Sequence, residues 1–558
     1  MTGDLVDLAA LGPDGEYRTR NREIIKDTSG VPVAESSVVP RLFVHRSIDA
    51  QRRLRPLEAT QREAALNQAA DVFVSSTIAG LDFESYVELT CRVTGLPMAA
   101  ARAGAHTVAE SLTTACDAVR PARPFGATPD WHDVGTTGGA VWTRRGEVIA
   151  VHAPGNAPGV HGLWPQALAL GYRVAIRPSR REPFTAHRLI RALRQTGFRA
   201  GDALYLPTDH TVADDLIRAA DLAMVYGGQD VVDRYTQNPA VLTNGPGCTK
   251  ILITAECDWR DYLDVIVDSI ANLGGMACVN ATAVLYEGDA APLAHAIAER
   301  FSTIEPLPNT DERAVLPTTS VDAARILADH LAARAAGTVA VLGADQVVAD
   351  LGGGFAALRP AVHLLASPDP AKLNVELPFP CVWVSPWSRA DGIVPLRNSL
   401  VLNAITPDDE LADELVNEPT VTNVYRGRHA THYTAPHIPH EGFLADFLMR
   451  NKGFIGGYAW HTPFMFRMTV EDVFAIRNRG TVATGRVETG TLRVGDTVQI
   501  DGALEARVDA IEVFRKSIEE AKVGDNIGVL FKGIEKSQLN RGSVLTSSSS
   551  AYGEAPPI

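Results

Sequence analysis

The stretch EVIAVHAPGNAPGVHGLWPQALALGYRVAIRPSR, residues 147–180, decides the fold of the first half of the chain. It contains two short apolar runs, 147–152 and 172–177, and each has the composition of a buried strand. Between them lie a Gly/Pro loop and an apolar segment, 163–169, in which a helix begins. A strand, a helix and a second strand in this order predict parallel pairing through a helical crossover.

The same alternation continues on both sides of this stretch. A helix is predicted over 183–195, and strands over 203–206 and 222–226. Upstream, 57–119 is alanine-rich with apolar residues recurring at helical spacing. This rhythm predicts an open parallel sheet with helices on both faces and ligands at the carboxyl ends of its strands. A second alternating region runs from about 250 to 440, and beyond 463 the pattern changes to the period-2 strands of a small all-β barrel.

Length and composition restrict the class of protein. A chain of 558 residues is too long for one core and predicts about two to four domains. The net charge of -14 argues against non-specific binding along a nucleic-acid backbone. Six cysteines without a C-x-x-C pair argue against a zinc site or a disulfide framework and fit a reducing cytoplasm. No membrane span or signal pattern is found, so we expect a cytoplasmic protein without membrane contact.

Five motifs in a fixed order connect residues 120–440 with a known family. They are VIAVHAPGN (148–156), GYRVAIRPS (171–179), YGGQ (226–229), GMAC (275–278) and ELPFP (376–380). In this order and spacing they resemble the aldehyde dehydrogenase superfamily, and in particular its branch that reduces activated acyl groups. The resemblance implies a Rossmann-type cofactor domain, a catalytic α/β domain, a nicotinamide cofactor and a homo-oligomer.

Cys278 is the expected nucleophile. Acyl transfer to sulfur requires a thiolate, and a loop flanked by glycine leaves room for a carbonyl carbon to approach. By the resemblance, the Asn156 side-chain amide and the Cys278 backbone N–H would stabilise the oxyanion. The alternatives are a buried core thiol at Cys278 and an ordinary turn residue at Asn156.

The resemblance also implies a set of cofactor-binding residues. These are Pro154, Arg177, Ser179, Arg180, Gly227, Gly228 and Glu376. Members that prefer NAD place an acid after the basic-Pro-Ser run, whereas Arg180 stands there in this chain and suits a 2′-phosphate. NADPH is therefore favoured over NADH. Glu376 is expected to bind the nicotinamide ribose, with a solvated loop acid as the alternative.

Asn244 is a departure from the pattern of the hydrolytic members. Those carry a glutamate general base just before a Gly-rich turn, and the corresponding stretch here is TNGPG (243–247). An amide cannot take a proton from water. The sequence therefore predicts that a thioester is reduced or transferred, and not hydrolysed.

Four histidines near the end of the second region do not form a metal motif. His429, His432, His437 and His440 lack the i, i+4 spacing of a helical site, and prolines lie between them. We interpret this segment as a surface loop and predict no metal.

The last segment carries a second resemblance. The runs FRMTVEDVF (466–474), RGTVATGRVETG (479–490), IEVFRK (511–516) and AKVGDNIGVL (521–530) are similar to the second domain of elongation factor Tu. That domain holds the terminal adenosine and aminoacyl ester of charged tRNA. The positions that match its site are Glu488, Gly490, Leu492, Glu512, Arg515 and Asn526. The sequence contains no G-x-x-x-x-G-K-[S/T] phosphate loop, so this is not a translation GTPase; the alternative is a barrel kept as a scaffold.

Together, these features predict an NADPH-dependent reductase of specialised biosynthesis that accepts an acyl group on Cys278 and releases an aldehyde, with the 3′ end of an aminoacyl-tRNA as the favoured partner. The alternatives are a reductase of acyl-CoA or carrier-protein thioesters and a catalytically inactive tRNA-end-binding protein. The predicted segments are an N-terminal arm (1–60), an NAD(P)-binding α/β domain with a helical start (61–250), a catalytic domain with an oligomerisation segment (251–455), a linker (456–465), an elongation factor Tu domain 2-like β-barrel (466–546) and a disordered tail (547–558).

Overall fold

The computed structural model describes residues 5–134, 138–455, 466–477, 479–514 and 516–547. The chain divides into two compact units, one of Met1–Pro129 with Val141–Lys452 and the other of Asp130–Ala140 with Gly453–Ile558. The predicted linker lies outside the described residues, as does the predicted tail from residue 548 onward. No helix in the described parts of the chain is long and apolar enough to cross a membrane.

The first unit contains a seven-stranded sheet built around the two strands of the stretch 147–180. In order across the sheet, the strands are Val241–Asn244, Leu222–Tyr226, Val148–His152, Arg173–Arg177, Ala203–Tyr205, Ala10–Gly12 and Gly15–Tyr17. The first five are parallel, which confirms the predicted sheet. The last two are antiparallel edge strands from the N-terminal arm, which the sequence pattern did not predict.

Helices cover both faces of this sheet because alternate residues of each strand point to opposite sides. Ile149 and Val151 pack in one core, whereas Val148 and Ala150 pack in the other. The helices of the first core are Ala59–Ser75, Phe83–Thr94, Met98–Ala118, Pro165–Ala169 and Phe184–Gln195. Those of the second core are Arg41–Arg52 and His210–Ala219, and Gln229–Tyr235 lies beside it.

A second seven-stranded sheet forms the rest of this unit. Its order is Val339–Leu342, Ala361–Leu364, Cys381–Pro386, Ala281–Tyr286, Thr249–Ile253, Ser399–Ile405 and Val421–Arg426. All neighbours are parallel except the first pair. Leu263–Ala271 and Ala291–Ser302 pack on one face, and Val321–Arg334 and Asp409–Asn417 on the other. The short helices are Pro370–Leu373 and Leu444–Leu448.

Three small sheets complete the pairing. The first consists of Val6–Leu8, Pro32–Ser37 and Arg22–Lys26. The second consists of Thr318–Ser320, Phe355–Leu358 and Val348–Asp350. The third consists of Met449–Phe454, Gly139–Arg144 and Ala127–Thr128.

The second unit contains the C-terminal β-domain, residues 466–547. Eight of its strands form one antiparallel sheet, in the order Leu504–Arg507, Thr497–Ile500, Val544–Ser547, Arg467–Ile476, Gly480–Thr489, Asn526–Phe531, Ala510–Val513 and Lys516–Ile518. Thr491–Arg493 and Glu520–Lys522 form a separate two-stranded ribbon. Alternate residues of the long strands, such as Val470 and Ala483, share a single core, which is the arrangement that the period-2 pattern predicts.

Candidate active site

The candidate site lies in the first unit, where loops of the two large sheets meet. Strand Val148–His152 of the first sheet leads into the loop of Asn156, and strand Ala281–Tyr286 of the second sheet is preceded by the loop of Cys278. The Asn156 side-chain Nδ2 donates a hydrogen bond of 3.1 Å to the Met276 carbonyl, which joins the two loops directly. The fold therefore brings together the two catalytic residues that the sequence predicts.

The backbone of the Cys278 loop follows an unusual path that glycine makes possible. Leu273, Gly274 and Gly275 have φ of 52°, 69° and 67°, a left-handed run in which a bulky residue is strained. A Cβ added to Gly275 would lie 2.5 Å from the backbone nitrogen of Pro380. Glycine is required there for both reasons, which explains the Gly-Met-Ala-Cys motif in physical terms.

Hydrogen bonds from neighbouring strands fix the same loop. Asn280 accepts from the Ala277 N–H at 2.8 Å and donates to the carbonyls of Ser269 and Asn272. The Thr249 hydroxyl donates to the Cys278 carbonyl at 2.9 Å. Because all these partners are backbone groups, they hold the position of Cys278 without engaging its thiol.

The thiol of Cys278 is in a protonated state at neutral pH. Burial raises its pKa to about 12, and the carboxyl groups of Glu376 and Glu441 act in the same direction. Its own N–H and that of Val279 oppose this shift by hydrogen bonding to sulfur. The reactive species of a cysteine is the thiolate, so this thiol needs a proton acceptor when it reacts.

His440 lies beside that thiol. Its Nε2 is 3.7 Å from the Cys278 Sγ, and burial lowers the pKa of its imidazole. The surface-loop interpretation is right for His429 and His437, which are exposed, and wrong for His440. His432 faces another way, with its Nε2 3.5 Å from a carboxylate oxygen of Asp268.

Sequence reasoning missed His440 for a clear reason. The histidine follows the cysteine by 162 residues, and no spacing rule links a loop after the last strand of a sheet to a loop before a central strand. The only local signal was a histidine followed by an acid, His440-Glu441, in a Gly/Pro-rich segment.

Asn156 presents its amide to the Cys278 loop. One of its two N–H bonds is used by the Met276 carbonyl, so the other is left for a further acceptor. Its Oδ1 is buried and has no hydrogen-bond partner among the described residues. The side chain is therefore more than a turn residue that satisfies only its own loop.

Glu376 is not a solvated loop acid. One oxygen of its carboxylate accepts from the N–H of Gly247 at 2.7 Å and from the N–H of Cys248 at 3.0 Å. Burial raises its pKa, and these two bonds lower it. The loop that it holds packs closely on the nucleophile, since a Cβ on Gly247 would lie 1.8 Å from the Cys278 carbonyl oxygen.

Six of the predicted cofactor residues lie at the carboxyl ends of neighbouring parallel strands of the first sheet, whereas Glu376 precedes strand Cys381–Pro386 of the second. Arg177 ends its strand and donates from Nε to the Thr208 hydroxyl at 2.9 Å. The Ser179 hydroxyl accepts from the Arg181 N–H, and a Cβ on Gly155 would lie 2.2 Å from it. This places the Ser179 loop directly against the half-buried Pro154–Gly155 turn.

Arg180 has an acidic partner from the N-terminal arm. Its Nε lies 3.0 Å from a carboxylate oxygen of Glu23, and the two side chains are 44% and 28% exposed. The sequence pattern gave no sign of this pair. The positive charge proposed to recognise a 2′-phosphate is therefore partly neutralised within the chain.

Asn244 ends the outer strand of the first sheet. It is buried, and neither polar atom of its side chain has a hydrogen-bond partner in the described parts of the protein. Its carbonyl accepts from the N–H of Gly227, which with Gly228 precedes helix Gln229–Tyr235. Unpaired buried amide atoms are costly, so this position needs an explanation in terms of ligand binding or ordered water.

The predicted tRNA-end positions of the β-domain have different environments. Glu512 lies on strand Ala510–Val513, 3.9 Å from Arg479, and Asn526 is exposed at the start of its own strand. Arg515 lies outside the described residues. The half-exposed acid and the exposed amide are both accessible to a ligand.

The remaining three positions serve the β-domain itself. Glu488 accepts from the Arg467 side chain at 2.8 Å and from the Thr469 N–H at 3.1 Å. Gly490 has φ of 71° in the turn after strand Gly480–Thr489. Leu492 is 1% exposed and packs in the core, so its side chain is not open to a ligand.

Comparison with known proteins agrees with this arrangement. The model of the aldehyde dehydrogenase family matches residues 29–455, and that of elongation factor Tu domain 2 matches residues 480–546. Similar solved structures include the R100A mutant of Thermus thermophilus 1-pyrroline-5-carboxylate dehydrogenase, which is 15% identical, with a TM-score of 0.67 over 81% of this chain and 93% of the other.

Two further structures have the same fold. Aldehyde dehydrogenase 21 of Physcomitrella patens is 15% identical, with a TM-score of 0.68 over 82% of this chain and 100% of that chain. An NAD-dependent aldehyde dehydrogenase of Sinorhizobium meliloti is 17% identical, with a TM-score of 0.69 over 82% and 97%. The chain therefore belongs to the aldehyde dehydrogenase family of nicotinamide-dependent oxidoreductases and carries, after it, a domain of the elongation factor Tu domain 2 family.

Proposed function

We propose that this protein is an NADPH-dependent reductase that takes an activated acyl group onto Cys278 and releases it as an aldehyde. The favoured carrier of the acyl group is an aminoacyl-tRNA. The observation that carries the reductive direction is Asn244, which stands where hydrolytic members of the family have their glutamate base.

The nucleophile and its surroundings support acyl transfer. Hydrogen bonds hold the loop of Cys278, His440 lies within reach of its thiol, and the Asn156 amide, bonded to the same loop, has a second N–H to donate. A thiol, a proton acceptor and an oxyanion donor are the groups that acyl transfer to sulfur needs.

The acidic groups near the thiol support reduction over hydrolysis. Hydrolysis of the thioester requires a base that accepts a proton from water, and the Asn244 amide cannot do so. Burial raises the pKa of Glu441 to about 8, so near neutral pH it is mostly protonated. Glu376 is engaged by two backbone N–H groups. The carboxyl groups near the thiol are therefore poor general bases for hydrolysis of the acyl-enzyme.

The first sheet offers residues that fit a nicotinamide cofactor. At the end of strand Leu222–Tyr226, Gly227 and Gly228 leave the backbone without side chains. After strand Arg173–Arg177, Arg180 supplies a half-exposed positive charge. At the end of strand Val241–Asn244 lies the unpaired side-chain amide of Asn244. Ligands of such sheets bind at this edge. When bound, the cofactor supplies the hydride. Arg177, Ser179 and Arg180 would hold its adenosine end.

The β-domain supports charged tRNA as the carrier. Its family model is that of a domain from a translation factor, and the half-exposed Glu512 and the exposed Asn526 stand at matching positions. Recognition of an adenosine end by a few hydrogen bonds needs little positive charge, which is compatible with a net charge of -14.

A second candidate keeps the chemistry and changes the carrier. Glu488, Gly490 and Leu492 are occupied by the internal structure of the β-domain. This observation favours a reductase of acyl-CoA or carrier-protein thioesters in which the β-domain is a scaffold.

One experiment separates the candidates. Charged tRNA, acyl-CoA and an acylated carrier protein are offered in turn with NADPH, and aldehyde is trapped and measured. The paired change Glu512→Ala and Arg515→Ala should raise KM for charged tRNA by the equivalent of about 2–4 kcal/mol for two hydrogen-bonding groups. It should spare a small thioester analogue.

The control is Glu505→Ala, on strand Leu504–Arg507 at the opposite end of the strand order. It should leave both substrates unaffected. If the paired variant uses charged tRNA as the wild type does, or if only acyl-CoA or a carrier protein yields aldehyde, the carrier assignment is wrong.

A further inference from the structure

The reactive thiol faces a proton-transfer problem that its immediate loop does not solve. Cys278 is fixed through backbone groups, and the described side chain with a basic nitrogen at its sulfur is His440, with Nε2 3.7 Å from Sγ. That separation is within hydrogen-bonding range for sulfur. The imidazole therefore lies where a proton leaving the thiol can be accepted.

We propose that His440 is the proton-transfer residue of the acylation step: its Nε2 takes the thiol proton as Sγ attacks the acyl carbon, and then gives that proton to the departing atom of the carrier. This role rests on the proposed acyl transfer to Cys278 and adds the group that makes it possible.

The other titratable groups around the thiol are less suited to this role. Burial and the charges of Glu376 and Glu441 raise the pKa of Cys278, and the charges of Glu441 and Cys278 add to the effect of burial in raising the pKa of Tyr226. One Glu376 oxygen already accepts two backbone hydrogen bonds. Burial raises the pKa of Glu441 and of Tyr226, so both keep their protons near neutrality. Burial lowers the pKa of His440, so its imidazole is neutral and able to accept.

The chain also holds the histidine in place. Asn423, buried on strand Val421–Arg426, donates from its amide to the His440 carbonyl and to the Leu400 carbonyl. The loop carrying His440 is thereby tied to the last two strands of the second sheet. Asn423 is a positioning residue, since it contacts the backbone of His440 and not the thiol.

The proton and bond balance is complete without a further reactant. In acylation, the bond from sulfur to the acyl carbon forms and the bond from that carbon to the carrier oxygen or sulfur breaks. The thiol proton passes through Nε2 to the leaving atom. His440 ends the step neutral, as it began, and the acyl group remains on Cys278 as a thioester.

The test measures acylation of the full chain without any cofactor. Two simple esters of one acid are used, a p-nitrophenyl ester, whose leaving group departs readily without a proton, and a trifluoroethyl ester, whose alkoxide departs poorly. Acylation is followed by intact mass and by release of the alcohol. We expect His440→Ala to lose about 10²–10⁴-fold in rate with the trifluoroethyl ester, and less with the p-nitrophenyl ester.

Two further variants keep the result interpretable. His440→Gln preserves bulk and hydrogen bonding but cannot carry the proton, so it should behave like His440→Ala. Added imidazole should restore the rate of His440→Ala and not that of His440→Gln, which fills the space. The matched control is His437→Ala, an exposed histidine of the same loop, which should acylate as the wild type does.

The outcomes separate this inference from the proposed function. If wild type and both His440 variants acylate at similar rates with both esters, His440 has no such role, and acyl transfer to Cys278 stands. An equal loss with both esters and no rescue by imidazole would reduce His440 to a structural residue. If neither ester acylates the wild type, acyl transfer and the role of His440 fall together.

Discussion

At the scale of single residues, burial favours the neutral form of every titratable group close to the sulfur. It raises the pKa of Cys278 to about 12 and that of Glu441 to about 8, and it lowers the pKa of His440. All three shifts have the same cause, because a low-dielectric environment penalises charge. Cys278, Glu441 and His440 are therefore mostly uncharged near neutral pH, and Asn156 is placed to stabilise charge that develops on a bound acyl group during reaction.

Glu441 makes the stability of the protein depend on pH. Its pKa is raised from 4.5 to about 8, so the folded state retains a proton that the unfolded state has lost above pH 4.5. The stabilisation linked to this proton is complete below pH 4.5 and is lost as pH rises toward 8. Over that range the free energy of unfolding falls by at most about 1.4 kcal/mol per pH unit. We expect the melting temperature of Glu441→Gln to exceed that of the wild type increasingly between pH 5 and 8, with the exposed Glu414→Gln as a control. A constant difference across this range would contradict the assignment.

If Arg180 selects the cofactor as proposed, we expect Glu23 to tune that selection through its ion pair with Arg180. The pair is half exposed, and such pairs contribute about 0–1 kcal/mol, or up to roughly a fivefold effect. Glu23→Gln should leave Arg180 free for a 2′-phosphate and raise the ratio of NADPH to NADH efficiency by that factor. Arg180→Glu should lower it by more. Both ratios follow from kcat/KM measured with each cofactor, and ratios unchanged in both variants would assign selection to other residues.

At the scale of elements, the loop of Cys278 depends on the loop that precedes strand Thr249–Ile253. Gly247 lies so close to it that an added Cβ would be 1.8 Å from the Cys278 carbonyl oxygen, a backbone atom that cannot rotate away. Gly247→Ala should displace the nucleophile and reduce acylation of Cys278 at least about 10²-fold. In the control Gly159→Ala, the nearest atom is 3.9 Å away. Rapid acylation of Gly247→Ala, measured by intact mass, would argue against a rigid loop.

The same elements explain which features the sequence could predict. Strands Val148–His152 and Arg173–Arg177 are continuous apolar runs buried on both faces, and such runs identify central parallel strands directly. Strands Ala10–Gly12 and Gly15–Tyr17 are too short to carry a period. Their conformation is decided by pairing, since the first pairs with strand Ala203–Tyr205 and the second pairs with the first.

Contacts between distant segments were beyond reach of the sequence pattern. The motifs located Cys278 and Asn156 because each stands in its own local signature. His440 beside Cys278 and Glu23 beside Arg180 arise only from the folded chain. Leu492 was matched to the family's site by its position in the sequence, but whether its side chain faces the core or the surface depends on the register of a three-residue strand.

At the scale of the whole molecule, the acidic balance predicts how a nucleic acid would bind. Each phosphate contacted on a single strand adds about 0.7 to the slope of log affinity against log salt. A protein with a net charge of -14 that binds only the end of a tRNA should contact few phosphates. We expect a slope no steeper than about -2 when binding of charged tRNA is measured over a range of salt. A slope of about -5 or steeper would indicate tracking along the backbone, which contradicts end recognition.

The central claim is that an acyl group passes from a carrier to the sulfur of Cys278. The most direct measurement is the mass of the full chain, and of its Cys278 peptide, after incubation with charged tRNA in the absence of NADPH. The account predicts an adduct with the mass of the aminoacyl group on Cys278, which hydroxylamine removes. The adduct should persist in Cys257→Ala and be absent from Cys278→Ala. An unmodified wild-type chain, or an adduct that survives in Cys278→Ala, would contradict it.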